Sequence, residues 1–493
     1  MAVKLIYKDV AVGADEDAQV TTSTTAEDFS DVAKIPFGVE APAIATGEPN
    51  GWGLTQDYKV LDKQPLAFWS RERSGAGCDF STPPTITLAF SKQYTSTGLT
   101  VRFAPASMDY CTKIGVTWYQ NGAAKESGTY YPDTPNFVIA KTVEAFDKIV
   151  FSFEKTNLPG KRLKVEKITV GVIREFDATE ITGASFVHEI DLISDTVPVN
   201  VMDASFHSKD AVDFVFQRKQ PVEGYNGSDL IGVYYIETGK RTGARDYVIA
   251  CQDAIGVLEI DDYGGGIWIE DTPLGDILAE VFGDTFTFDI DAAYTGSTLR
   301  GYIEPGTKRD ALKQIAFALG AVADTSGSDK IRLYPSPIGV GEEIPAKRTY
   351  TGGAVDVADK VTEVTVTAYV IFDERPNESQ DYIEFNGVQY RYYTDTKHAY
   401  NPDTVASDLP NKVKFTGAYL VNLSNAQTLA DKIMAYYMRR EKYAFKHVVE
   451  GQEPGARAVA TLPWGGQENG TITKMSISVT GITVSDTEML LDD

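Results

Sequence analysis

Four histidines stand in the chain, His188, His207, His398 and His447, so chemistry that needs an imidazole base has few places to occur. His188 is followed by Glu189 but by no second histidine four residues on, which removes the helical zinc-protease pattern, and its neighbours read as a strand. His207 adjoins Ser208-Lys209-Asp210, yet no Gly-x-Ser-x-Gly elbow occurs to present a nucleophile. Cys78, Cys111 and Cys251 are widely spaced and odd in number, which fits neither a zinc knuckle nor a disulfide framework. Carboxylates are abundant. Asp261-Asp262 before Gly264-Gly265-Gly266, and Asp289-Ile290-Asp291, have the chemistry to hold a hard cation; the first lacks the Asp-x-Asp-x-Asp-Gly spacing and the second reads more simply as a strand end and turn. No phosphate-cradling glycine loop of either common type is present, so nucleotide binding has no support. No catalytic residue can be named, and a non-enzymatic role is expected.

The most ligand-like cluster is Trp69-Ser70-Arg71-Glu72-Arg73. An exposed Trp69 would stack on the apolar face of a sugar while Arg71 and Arg73 donate to its hydroxyls. The competing reading has Phe68 or Trp69 capping a hydrophobic core.

These residues must be carried by 493 of them in all, which at roughly 150 per domain implies about three domains. Apolar residues at 43% and charged residues at 24% are ordinary values for folded protein and exclude wholesale disorder. No stretch approaches the apolar length of a membrane span, and Lys4 interrupts the short apolar start, so a cleaved secretory signal is not expected and synthesis in the cytoplasm is. Lys and Arg number 46 against 70 Asp and Glu, a net charge of −24 that repels phosphate backbones and anionic lipid; specific nucleic-acid binding is disfavoured. The 26 Tyr and 23 Phe suit strands and interfaces.

Residues 1–53 mix a strand-like start with Thr-rich and Pro-punctuated stretches, and read as an extended arm that docks on something else, with disorder as the alternative reading. Residues 54–175 alternate with period two, as in Ile86, Leu88 and Phe90 or Ile114, Val116 and Trp118, and predict a β-sandwich. A second β-rich stretch spans 176–262. In 263–350 the apolar spacing at 274, 277, 278, 281 and 282 predicts one helix, and Thr307-Lys308-Arg309-Asp310 opens a second that stops at Gly320. A hairpin turning at Thr325-Ser326-Gly327-Ser328 follows. Residues 351–493 read as strands around one long helix, opened by Ser424-Asn425-Ala426-Gln427 as a capping box. The fold class is mainly β with α+β parts.

The run from Gly301 through Thr307-Lys308-Arg309-Asp310 to Gly320, continued by Ala323-Asp324-Thr325-Ser326 and Ile331-Arg332-Leu333-Tyr334-Pro335, resembles the small α/β module of tail-hub proteins from phages of Gram-positive bacteria. The C-terminal helix ending Tyr436-Tyr437-Met438-Arg439-Arg440, with the later Ile472-Thr473-Lys474-Met475-Ser476-Ile477-Ser478, is similar to that family's closing barrel. The likeness covers about residues 176–493. The stretch before it, with Pro84-Thr85-Ile86-Thr87-Leu88, Ile114-Gly115-Val116-Thr117-Trp118-Tyr119 and Leu163-Lys164-Val165, resembles a galactose-binding-like jelly roll. What the resemblance implies is two hub-type β-barrels, at 176–262 and 351–493, around a small α/β insert. It further implies a homotrimer at the virion tail tip that joins the tail-tube or distal tail protein and the tape-measure protein to a spike or fibre and lines the DNA channel. It names no cofactor, and allows a structural calcium or a host glycan at the sandwich. The alternative is a carbohydrate-binding surface or cell-wall adhesion protein, such as a glycoside hydrolase accessory module.

Overall fold

The computed structural model describes residues 3–11, 13–24, 26, 27, 30–38, 48, 67–104, 107–209, 216–283 and 286–492. These fall into two compact units, one made of residues 6–175 and the other of residues 3–5, 176–209 and 216–492. The chain is mainly β throughout. Among the described residues no helix is long and apolar enough to cross a membrane.

In the first unit a five-stranded antiparallel sheet runs in the order Gln19–Thr22, Thr85–Ser96, Val143–Thr156, Cys111–Gln120, Ala123–Tyr130. A three-stranded sheet, Lys167–Thr169, Leu99–Arg102 and Asn136–Ile139, supplies further residues to the same core, and Phe68–Arg73 pairs with Arg162–Val165. The period-two pattern explains this sandwich. Ile86 and Leu88 on one strand, Ile149, Phe151 and Phe153 on the next, and Val116 and Trp118 on the third are fully buried, while the residues between them are not. Phe103 meets Phe153 edge-on at 6.1 Å.

The expected arm is different in its described part. A short helix, α1 (Ala14–Asp17), leads into Gln19–Thr22, which adds to the sandwich as an edge strand in the register Gln19↔Ala89 and Thr22↔Ile86. Ala14 and Ile35 lie within the same core. An edge strand has one pairing partner and one solvated side, so Thr21 and Thr22 could be polar and still pair. Residues 39–47 and 49–66 of the expected arm and sandwich start lie outside the described residues.

In the second unit the dominant sheet passes through Pro221–Asn226, Asp229–Arg241, Asp246–Gln252, Val201–His207, Ile181–Glu189, Gln467–Thr480, Ile482–Leu491, Glu441–Val448 and Ala354–Val357. Every neighbouring pair in that order is antiparallel. Ile181–Glu189 is the junction: it pairs with Val201–His207 on one side and with Gln467–Thr480 on the other, from Ser185↔Ser478 to Glu189↔Lys474. The strand sets of 181–252 and 441–491 therefore share one sheet.

Between them sit α2 (Ala254–Leu258), α3 (Leu274–Phe282) and α4 (Lys308–Leu319), with the hairpin Val322–Asp324 and Ile331–Tyr334 as its turn residues predict. α3 buries Leu274, Ile277, Leu278, Val281 and Phe282, its expected stripe. α4 begins on a complete capping box: the Thr307 hydroxyl accepts from the Asp310 amide, and the Asp310 carboxylate accepts from the Thr307 amide. α5 (Ala426–Met438) covers a four-stranded sheet of Tyr382–Phe385, Val388–Tyr400, Glu363–Ile371 and Lys412–Phe415. Its Leu429 and Ile433 share a core with Leu312 and Ile315 of α4 and with Val364 and Val366. The Ser424-x-x-Gln427 box does not form. Asn425 takes the N-cap position; Ser424 donates to Asn422 and Gln427 to the His398 carbonyl and Asp431. Gly301 is required where it stands: its φ is 139°, and a Cβ there would lie 2.1 Å from the Tyr419 carbonyl oxygen.

Because the α4 cap satisfies two otherwise orphaned amides, Thr307→Ala is expected to lower stability by about 1 kcal/mol in chemical denaturation, with unchanged far-ultraviolet circular dichroism.

Candidate functional sites

The strand Phe68–Arg73 carries the residues expected to touch a glycan, and pairing separates them. Lys164↔Trp69 and Val165↔Phe68 fix the register against Arg162–Val165. Phe68 enters the core, Trp69 is only 3% exposed, and Arg71 and Arg73 stand exposed. Arg71 lies 3.8 Å from Glu27. The three do not converge on one open surface: the Trp69 ring lies inside, 5.0 Å from the Lys164 ammonium.

That ammonium belongs to a cluster the sequence pattern did not single out. Lys164 and Glu48 are each 1% exposed, Asp109 3% and Lys161 4%. Lys164 Nζ contacts the Glu48 carboxylate and lies 2.5 Å from Asp109 Oδ2, while Lys161 Nζ lies 3.1 Å from Asp109 Oδ1. Glu48 Oε1 accepts from the Arg162 amide at 2.8 Å, and the Ser107 hydroxyl donates to Asp109 Oδ2 at 2.9 Å. Burial works to raise the Asp109 carboxyl, but the Lys164 and Lys161 ammoniums prevail and hold it below its ordinary value. The available signal was Lys164 itself, a cation between Leu163 and Val165 in a strand buried at both neighbours.

The second unit holds a separate buried polar node at its sheet junction. His188 Nε2 hydrogen-bonds with the Tyr234 hydroxyl. Asp324 Oδ2 accepts from Arg332 at 2.6 Å, and Arg332 also reaches Glu453 at 3.2 Å. Asn200 Nδ2 lies 3.2 Å from Asp324 Oδ1 and 3.0 Å from Thr325 Oγ1. Asp253, the α2 cap, accepts from the amides of Gly256 and Asn200 and from the Thr325 hydroxyl at 2.6 Å. Burial pushes the Asp253 carboxyl up to about 6 despite these donors. Burial likewise drives the His188 imidazole down to about 4. Asp324 is held below its ordinary value because Arg332 outweighs desolvation. A cavity of about 280 Å³, lined by His188, Asn226, Gln452, Glu453 and Thr483 among others, opens beside this node. The node reads as a buried polar network that fixes the junction rather than as acid-base machinery, since each carboxylate is already engaged by donors.

The other histidines are engaged elsewhere: His207 with Asp246 at 2.7 Å, His398 with Glu363 at 2.7 Å, and His447 with Thr487 at 3.1 Å. Cys111 and Cys251 are buried, which raises both thiols, and Cys78 is partly exposed. Among the described residues no three His, Cys, Asp or Glu side chains gather as metal ligands do. Asp291 instead turns its own loop by accepting from the Ala293 amide.

No protein-family profile matches the chain, and no curated protein does. Among solved structures it is similar to a tail protein from Neisseria meningitidis MC58, at 14% identity and a TM-score of 0.47 over 65% of this chain and 94% of that one. It is also similar to the 43 kDa tail protein of prophage MuSo2 from Shewanella oneidensis, at 9% identity and a TM-score of 0.43 over 64% and 95%. A third is the prophage tail protein gp18 from Listeria monocytogenes EGD-e, at 10% identity and a TM-score of 0.43 over 64% and 91%.

The node makes the second unit sensitive to acid in a defined sense. The folded chain keeps His188 neutral down to about pH 4, whereas the unfolded chain protonates it near 6.5, so stability falls as pH drops through that window. Asp253 opposes this, because its raised carboxyl adds stability as pH falls from about 6 toward 3.8. Urea denaturation should show the wild type losing up to about 3 kcal/mol more than His188→Gln between neutral pH and pH 4. Parallel curves would contradict the burial of a neutral imidazole.

Proposed function

We propose that the chain is a non-enzymatic structural component of a phage or prophage-derived tail tip, a homotrimeric hub that joins the tail tube to a spike or fibre and lines the DNA channel. The observation that carries this reading is the single sheet in which the strand sets of 181–252 and 441–491 lie edge to edge around the α/β insert. A subunit with two strand sets side by side can offer two tube-like faces, so three copies can meet a sixfold tube with a threefold base. The sheet order stops at Ala354–Val357, whose side chains are mostly exposed, leaving an edge for a neighbour. Large exposed apolar groups, including Tyr382, Tyr393, Tyr400, Leu409 and Trp464, are the kind that oligomer interfaces cover.

The net charge of −24 fits a conduit, because walls that repel phosphate let DNA pass without adhering. The proposed neighbours are the tail-tube or distal tail protein, the tape-measure protein and the spike or fibre.

Native mass measurement of the purified full chain over a wide concentration range tests the reading. The expected result is a trimer that releases no sugar from cell-wall glycan. A monomer at every concentration, or accelerated glycan hydrolysis, would count against it.

A further inference from the structure

We propose that the first unit carries a self-formed covalent cross-link, an isopeptide bond between the Lys164 side-chain nitrogen and the Asp109 side-chain carbonyl carbon, made with Glu48 as the proton relay. The inference is independent of the tail reading and rests on the geometry of the cluster. An amine, a carboxyl group and a second carboxylate meet on one nitrogen, all three nearly inaccessible to water: Lys164 Nζ touches Glu48 and lies 2.5 Å from Asp109 Oδ2.

Each surrounding contact has a place in the chemistry. The reaction joins an ammonium and a carboxylate into an amide with release of one water. Lys164 first gives a proton to Glu48, leaving a neutral amine whose lone pair is free to attack. Glu48 hands that proton on to Asp109 Oδ2, so the amine meets a neutral carboxylic acid rather than an anion; the new C–N bond then forms at Asp109 Cγ, and negative charge gathers on Oδ1, where the Lys161 ammonium stands at 3.1 Å. Glu48, a carboxylate again, takes the second proton from nitrogen. It then delivers that proton too, the Cγ–Oδ2 bond breaks, and Oδ2 leaves as water. Glu48 ends as the carboxylate it began as; no oxidant or other reactant is needed. Two charges buried in the resting cluster become one neutral amide, which removes the desolvation cost of both.

The protein holds these groups where they must be. Lys164 sits in the strand paired with Phe68–Arg73, under the Trp69 ring. Asp109 is fixed by reciprocal backbone hydrogen bonds with Ala104, each 3.2 Å. Glu48 is oriented by the Arg162 amide on Oε1, which turns Oε2 toward Lys164. Fixing reactants at contact distance in a dry site is what lets an otherwise sluggish condensation proceed.

The test is the intact mass of the purified full chain under denaturing conditions, followed by tryptic mapping. The expected result is a chain lighter than its sequence by the mass of one water, with a branched peptide linking Asp109 to Lys164. Lys164→Arg, Asp109→Ala and Glu48→Gln should each restore the full mass. A wild-type chain at its full sequence mass would overturn the proposal, and this readout stands even where a variant fails to fold. A branch at Lys161 instead of Lys164 would overturn the assignment, and continued loss of water in Glu48→Gln would overturn the relay.

Discussion

The second unit depends on one constraint, the pairing of Ile181–Glu189 with Gln467–Thr480. It brings together strands from opposite ends of a long stretch of chain, and loop-closure entropy must be met before any local contact rewards it. What offsets that entropy is burial on both sides of the junction. Phe186, Met475 and Ile477 lie within the sheet's buried face, and the hydrogen-bonded pairs His188–Tyr234 and Asp324–Arg332 add buried polar contacts beside them. Such pairs have little tolerance for slippage: a one-residue shift would turn His188 to the other face and strand Tyr234. Register is thus specified by polar satisfaction as well as by apolar pattern.

The first unit solves a different problem. Its core is a conventional apolar sandwich, yet four ionisable side chains from three segments are buried together at the Arg162–Val165 strand. Buried ion pairs are weak sources of stability, because desolvation offsets most of the Coulomb gain. A cluster this dry is therefore better understood through the chemistry its members can do with one another than as a prop for the fold. The adjacent Trp69 shields it and has no open face for a sugar.

Local signals were legible in the sequence and long-range ones were not. Thr307 and Asp310 disclose their cap because both partners lie within one turn, and Ile86 with Leu88 disclose a buried strand face through alternation alone. Ser424 and Gln427 show the same spacing, but Asn422 captures the Ser424 hydroxyl and Asn425 displaces it from the cap. Gln19–Thr22 is too short and polar to announce itself, and only its partner Thr85–Ser96 makes it a strand. Trp69 beside its charged neighbours left an exposed face and a core-capping role both open; the burial that decides for the core comes from Arg162–Val165, far along the chain. Lys164, Asp109 and Glu48 share no spacing at all, so nothing short of the fold could bring them together. The same holds for the shared sheet, since two period-two regions say nothing about whether their edges meet.

The functional claim is most directly tested by imaging tail particles from cells that encode this chain, using antibody labelling in the electron microscope with quantitative mass spectrometry of the same particles. The account predicts label at one end of the tail and three copies per particle. Intact tails that lack the chain, or label spread along the tube, would contradict it.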